Sequence, residues 1–134
     1  MRFIDTNVFV YAIDDRDAVK QARAREIVLN ACSCGGSLIS AQVLNEFSCI
    51  AFRKFHRTVG EIRAFVRMFQ RIGVTDVSRS WTLRALDIAE EYSLQFYDSL
   101  LLAAAEASGC TEFISEDLND GQIYCGMKAV NPFI

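Results

Sequence analysis

Proline and histidine are nearly absent: Pro132 and His56 are the only ones in 134 residues. One proline excludes a Pro-rich linker, and a chain of this length predicts a single domain, residues 1–134. One histidine deprives a zinc centre of its usual imidazoles. No Cys-x-x-Cys pair occurs among the five cysteines, Cys32, Cys34, Cys49, Cys110 and Cys125. Their odd number and spacing predict reduced thiols and no disulfide frame. Long apolar runs are missing too. The longest uncharged one, about Leu100 to Ala105, is far below the ~20 residues of a membrane span. Asp5 follows Arg2 too closely for a signal peptide. These absences predict a cytoplasmic protein with no membrane partner.

An overall basic balance is also lacking, because the formal net charge is −3. The distribution says more than the total. Between Ile50 and Arg84 only Glu61 and Asp76 stand against Arg53, Lys54, Arg57, Arg63, Arg67, Arg71, Arg79 and Arg84. A basic segment therefore accompanies an otherwise acidic chain. The hydrophobic share of 51% is ample for a packed core.

Strand-like and helix-like segments alternate. Arg2 to Asp5 reads as a strand that enters a turn at Thr6-Asn7, with a short helix from Val8. Asp17 caps a helix from Ala18 to about Ala31. Ser37 to Ile39 is a second strand, and Ser40 caps a helix from Ala41 to about Phe55. Thr58-Val59-Gly60-Glu61 has the spacing of a capping box. The helix after it carries the stripe Ile62, Phe65, Val66, Phe69 and Ile72, and Gly73 ends it. Val74 to Val77 is a third strand. A helix starts at Ser78 or Ser80 and runs to Tyr92. Another, apolar nearly all round, begins at Asp98 and stops before Gly109. Glu112 to Ser115 is a fourth strand. Gly121 and Gly126 bracket a loop, and Lys128 to Val130 is a fifth strand. This alternation predicts an α/β fold with a central, mainly parallel five-stranded sheet covered on both faces.

Four acids fall where such a fold collects ligands, outside the carboxyl ends of the strands. Asp5 ends the first strand, and Asp117 lies just past the fourth. Glu46 is in the second turn of the helix leaving the second strand. It falls beside the apolar arc of Val43, Leu44, Phe47, Ile50 and Ala51, which predicts a half-buried carboxylate. Asp98 sits near a helix start with no strand before it to fix its place. Each acid alone has a plain structural use: a turn cap, a charge beside an apolar face, a helix cap, a polar loop. Glu116 and Asp120 compete with Asp117 for any role. Grouped, the acids would repel one another and raise their pKa values, and a divalent cation would relieve that.

Four stretches resemble the PIN domain, above all the VapC-type ribonuclease toxins of bacterial toxin–antitoxin pairs. They are Phe3-Ile4-Asp5-Thr6-Asn7-Val8, Val43-Leu44-Asn45-Glu46-Phe47, Tyr97-Asp98-Ser99-Leu100-Leu101-Leu102-Ala103-Ala104-Ala105, and Phe113-Ile114-Ser115-Glu116-Asp117. Their order and spacing fit across essentially the whole chain. Ser99 stands where relatives often have alanine. The resemblance implies a three-layer α/β/α sandwich and an Mg²⁺- or Mn²⁺-dependent endoribonuclease that leaves a 5′ phosphate. Asp5, Glu46, Asp98 and Asp117 carry over as the catalytic and metal-binding acids. Thr6, Asn7 and Ser115 carry over as polar supports. It also implies a homodimer and an antitoxin that holds the enzyme inactive.

The same residues leave other readings open. One is a PIN nuclease of RNA processing or of DNA, and another is a non-catalytic module of the same fold. An aspartate-nucleophile phosphatase wants a second aspartate two residues after Asp5, where this chain has Asn7. Arg53, Lys54, Arg57, Arg63, Arg67 and Arg71 are candidates for contact with RNA or with an antitoxin. A solvated helix face is the plainer use of those cations.

Overall fold

The computed structural model describes all 134 residues. In chain order it has β1 (Arg2–Ile4), α1 (Thr6–Ile13), α2 (Ala18–Ser33), β2 (Ser37–Ser40), α3 (Ala41–Arg53) and α4 (Val59–Phe69). Then follow β3 (Gly73–Thr75), α5 (Trp81–Tyr92), α6 (Phe96–Ala107), β4 (Glu112–Ile114), β5 (Ile123–Tyr124) and β6 (Met127–Val130). One six-stranded sheet has the order β3-β2-β1-β4-β6-β5. All pairings are parallel except that of β5 with β6.

Successive residues of a strand point to opposite faces. Phe3 and Ile4 are both fully buried, so helices cover both sides of the sheet, which is the expected three-layer α/β/α arrangement. α1 packs on α2 and α3, and α3 on α4, while α5 pairs with α6. Register ties the middle strands: Phe3 lies opposite Phe113, and their rings stack at 5.4 Å. Under α3, Phe47 meets Phe65 at 5.8 Å and Phe69 at 4.9 Å, both edge-on. Phe69 in turn meets Phe9 at 4.7 Å. Phe47→Ala empties the centre of that cluster and is expected to destabilise the protein by about 3–5 kcal/mol in a urea titration. No helix is long and apolar enough to cross a membrane.

Several caps stand as the sequence predicts. Asp17 accepts from the Lys20 N–H at 3.1 Å. Thr58 accepts from the Glu61 N–H at 3.2 Å and donates its hydroxyl to the Glu61 carboxylate at 3.1 Å, closing the capping box.

Other boundaries move. The first helix begins directly at Thr6, because Asp5 caps it and no separate turn intervenes. α6 begins at Phe96, so Asp98 lies within its first turn and is not its cap. α4 stops at Phe69, and Gly73 already belongs to β3. The predicted loop between Gly121 and Gly126 holds a sixth strand. Tyr124 pairs with Met127, leaving Cys125-Gly126 as a two-residue hairpin turn with φ of 51° and 79°. Such a turn needs positive φ at both positions and commonly shows Asn-Gly or Asp-Gly. Cysteine in the first place hid it.

Candidate active site

The register of β1 and β4 builds the floor of the site. Ile4 lies opposite Ile114, so the next residues, Asp5 and Ser115, leave the sheet side by side. The Asp5 N–H donates to the Ile114 carbonyl at 2.9 Å, and the Ser115 hydroxyl donates to Asp5 Oδ2 at 2.7 Å. The other oxygen, Oδ1, accepts from the Thr6 N–H at 2.6 Å as α1 begins. Asp5 is thereby held, 5% exposed, at the carboxyl edge of the sheet.

Polar neighbours link the remaining acids to it. The Thr6 hydroxyl donates to Glu46 Oε1 at 2.8 Å, which joins α1 to the half-buried Glu46 of α3. The Asn7 amide donates to Asp117 at 3.0 Å and to Ser115 Oγ at 3.2 Å. The Asp117 N–H also donates to Ser115 Oγ, at 3.0 Å. Thr6, Asn7 and Ser115 thus touch acids from three separate segments.

Asp98 arrives by a different route. α6 feeds β4 through a short turn at Gly109, so α6 runs against the strands and starts at their carboxyl edge. Asp5, Glu46, Asp98 and Asp117 consequently line one cleft of about 310 Å³, together with Asn7, Tyr11, Asp14, Arg16, Lys54 and Glu116. The rivals of Asp117 have other partners. Asp120 accepts from the Asn131 N–H at 2.8 Å. Glu116 is paired with Lys20 and accepts from the Tyr11 hydroxyl.

Burial and crowding perturb two of the acids, Asp5 and Asp98. Burial pushes the Asp5 carboxyl up to about 7, the Ser115 hydroxyl opposes that, and the charges of Asp117 and Asp98 add to it. Asp98 is raised by burial, then by the charges of Asp117 and Glu46. Asp5, Asp98 and Asp117 thus lie within electrostatic reach of one another, and Glu46 within reach of Asp98.

The donor set fits a hard divalent cation. It is made of oxygens only, it leaves the Asn7 Oδ1 buried without a partner, and its most buried acid resists ionisation unless a positive charge arrives. No three Asp, Glu, His or Cys side chains stand close enough to enclose an ion by themselves. Mg²⁺ suits that spacing, because it takes one or two carboxylates and keeps several waters.

The six cations singled out in the sequence do not gather here. Lys54 alone lines the cleft. Arg57 pairs with Glu61 at 3.0 Å. Arg67 and Arg71 border a separate shallow groove with Ala64 and Met68. The second cation of the cleft, Arg16, went unnoticed in the sequence. It lies in the α1–α2 loop and binds Asp14 through Nε at 2.8 Å and Nη2 at 2.7 Å. That guanidinium holds the buried Asp14 carboxyl down, at about 2. No periodic pattern marks a loop arginine, and only its proximity to Asp14 hinted at a pair.

A mainly parallel α/β sheet with an acidic cleft at its carboxyl edge is now defined. The PIN domain model matches residues 2–120, and the chain belongs to that family. Solved structures share the fold. A toxin–antitoxin complex from Klebsiella pneumoniae is 20% identical, with 99% of this chain and 98% of that one covered and a TM-score of 0.73. The Mycobacterium tuberculosis VapC20, a sarcin–ricin loop cleaving toxin, is 19% identical over 87% of this chain and 92% of its own, with a TM-score of 0.69. VapBC2 from Rickettsia felis, bound to a DNA fragment from its promoter, is 17% identical over 96% of each chain, with a TM-score of 0.66. No curated protein matches the chain.

Proposed function

We propose that the chain is an Mg²⁺- or Mn²⁺-dependent endoribonuclease and the toxin of a toxin–antitoxin pair. The observation that carries this reading is the convergence of Asp5, Glu46, Asp98 and Asp117 in one cleft, with Asp5 buried and resistant to ionisation. Family membership and the likeness to a toxin that cleaves the sarcin–ricin loop support RNA as the substrate. The toxin–antitoxin complexes among similar structures support a protein partner. A homodimer is part of the same reading, and light scattering of the purified chain checks it.

One or two of the four acids would hold the ion directly, with the others beside it in the cleft. When bound, such an ion lowers the pKa of a water and offsets charge on the phosphate and the leaving oxygen. The chain's own contribution is placement. The Ser115 hydroxyl and Thr6 N–H fix the Asp5 carboxylate, the Thr6 hydroxyl orients Glu46, and Asn7 steadies Asp117. Ser115→Ala removes a hydroxyl that touches Asp5, Asn7 and the Asp117 N–H. Calorimetric titration is expected to show Mn²⁺ affinity down by roughly 10–100-fold, the usual cost of losing such a support.

The direct test offers matched RNA and DNA oligonucleotides to the purified chain in Mg²⁺ and in Mn²⁺. Internal cleavage of RNA with 5′-phosphate products is expected. An intact RNA under both ions, or cleavage of the DNA alone, overturns the reading.

A further inference from the structure

The acidic cleft repels an RNA backbone unless cations hold the phosphates at its rim. Only Arg16 and Lys54 line it as cations. Arg16 is spent on Asp14 along one edge, through Nε and Nη2, while its side chain remains 63% exposed. Its Nη1 has no acceptor among the hydrogen bonds of the Arg16–Asp14 pair, so the fork is fixed and its outer edge is open. Lys54 is exposed and makes no salt bridge. Both cations lie against one ring: the Arg16 guanidinium carbon is 5.9 Å from the Phe55 centroid, and Lys54 Nζ is 5.8 Å from it. Phe55 therefore brings the α1–α2 loop and the end of α3 together as one cationic rim beside the acids.

Resting on the ribonuclease reading, we infer that Arg16 and Lys54 grip a backbone phosphate of the RNA next to the one that is cut, and that Arg63, Arg67 and Arg71 do not. A guanidinium already locked on one edge by a buried carboxylate loses little freedom when a phosphate takes the other. Lys54 adds a point charge on a free stem. Asp14 is then the anchor of the grip and not a fifth acid for the ion. Arg63, Arg67 and Arg71 line no part of the cleft.

Fluorescence anisotropy of a single-stranded oligoribonucleotide on the Asp98→Asn protein, followed over a series of NaCl concentrations, reads the grip directly. Removing one phosphate contact is expected to reduce the slope of log affinity against log salt by roughly 0.7. Lys54→Met should show that reduction, and Lys54→Arg should restore the slope. In the otherwise wild-type enzyme, Lys54→Met should raise KM several-fold with kcat and Mn²⁺ affinity unchanged. Arg16→Met alone strands the buried Asp14 and can unfold the loop, so it is paired with Asp14→Asn, and the pair should lose a similar slope. The triple variant Arg63→Met, Arg67→Met, Arg71→Met should keep the parent slope. An unaltered slope in Lys54→Met, or a loss confined to the triple variant, overturns the grip while RNA cleavage by the wild type still stands. A wild type that neither binds nor cuts RNA overturns the ribonuclease reading and the grip together.

Discussion

Metal-free protein is expected to lose stability as pH rises from about 4 to about 7, and Asp5→Asn to lose most of that dependence. The Asp5 carboxyl goes from an ordinary value of 3.8 to about 7 on folding. A raised folded pKa means that the native state binds the proton more tightly than the unfolded chain. The resulting stability is full below the unfolded value and is lost as pH climbs through the folded one. With 1.36 kcal/mol per pKa unit, the change across that window is on the order of 4 kcal/mol. Asp98 is raised as well and acts with the same sign. Asp14 does not interfere, because its lowered value, about 2, puts its effect in more acid solution. Mg²⁺ bound to the ionised acids would oppose the loss. It should raise the melting temperature of the wild type near neutral pH more than that of Asp5→Asn. Equal Mg²⁺ shifts, or parallel pH profiles for the two proteins, would contradict a shared site at Asp5.

Asp98→Asn is expected to lower RNA cleavage by about 10²-fold or more, the scale of removing one preorganised electrostatic group. Stability should move the other way. Asp98 feels the charges of Asp117 and Glu46, so the amide relieves repulsion, and the metal-free variant should melt no lower than the wild type at neutral pH. Inactivity with raised or equal melting temperature separates a functional carboxylate from a structural one. Inactivity accompanied by a large fall in melting temperature would assign Asp98 to the fold instead.

Much of this site was legible in the chain. Asp5 and Asp117 follow strands, and Glu46 sits beside an apolar arc, so topology alone directs them to one edge. Val43, Leu44, Phe47 and Ala51 are buried as that arc requires, and Glu46 is half-buried beside them. Asp98 is the loose element, because no strand precedes it in the chain to fix its place. The helix that feeds a parallel strand is an equally good guide, since its start must lie at the carboxyl edge, and Gly109 followed by Glu112 to Ile114 announced that strand. The choice among Glu116, Asp117 and Asp120 could not be read. It depends on tertiary partners, the Lys20 and Tyr11 side chains for Glu116 and the Asn131 N–H for Asp120. The cationic rim stayed hidden for a related reason. Helical spacing draws the eye to Arg63, Arg67 and Arg71, whereas Arg16 is placed by Asp14 in a loop without a period.

The most direct trial of the central claim is a single RNA-cleavage time course in Mg²⁺, with EDTA added midway and Mg²⁺ then restored, run beside Asp98→Asn. Cleavage by the wild type should stop on chelation and resume on restoration, while the variant remains flat throughout. Cleavage that continues in EDTA, or that proceeds at the wild-type rate in the variant, would contradict an ion held by these acids.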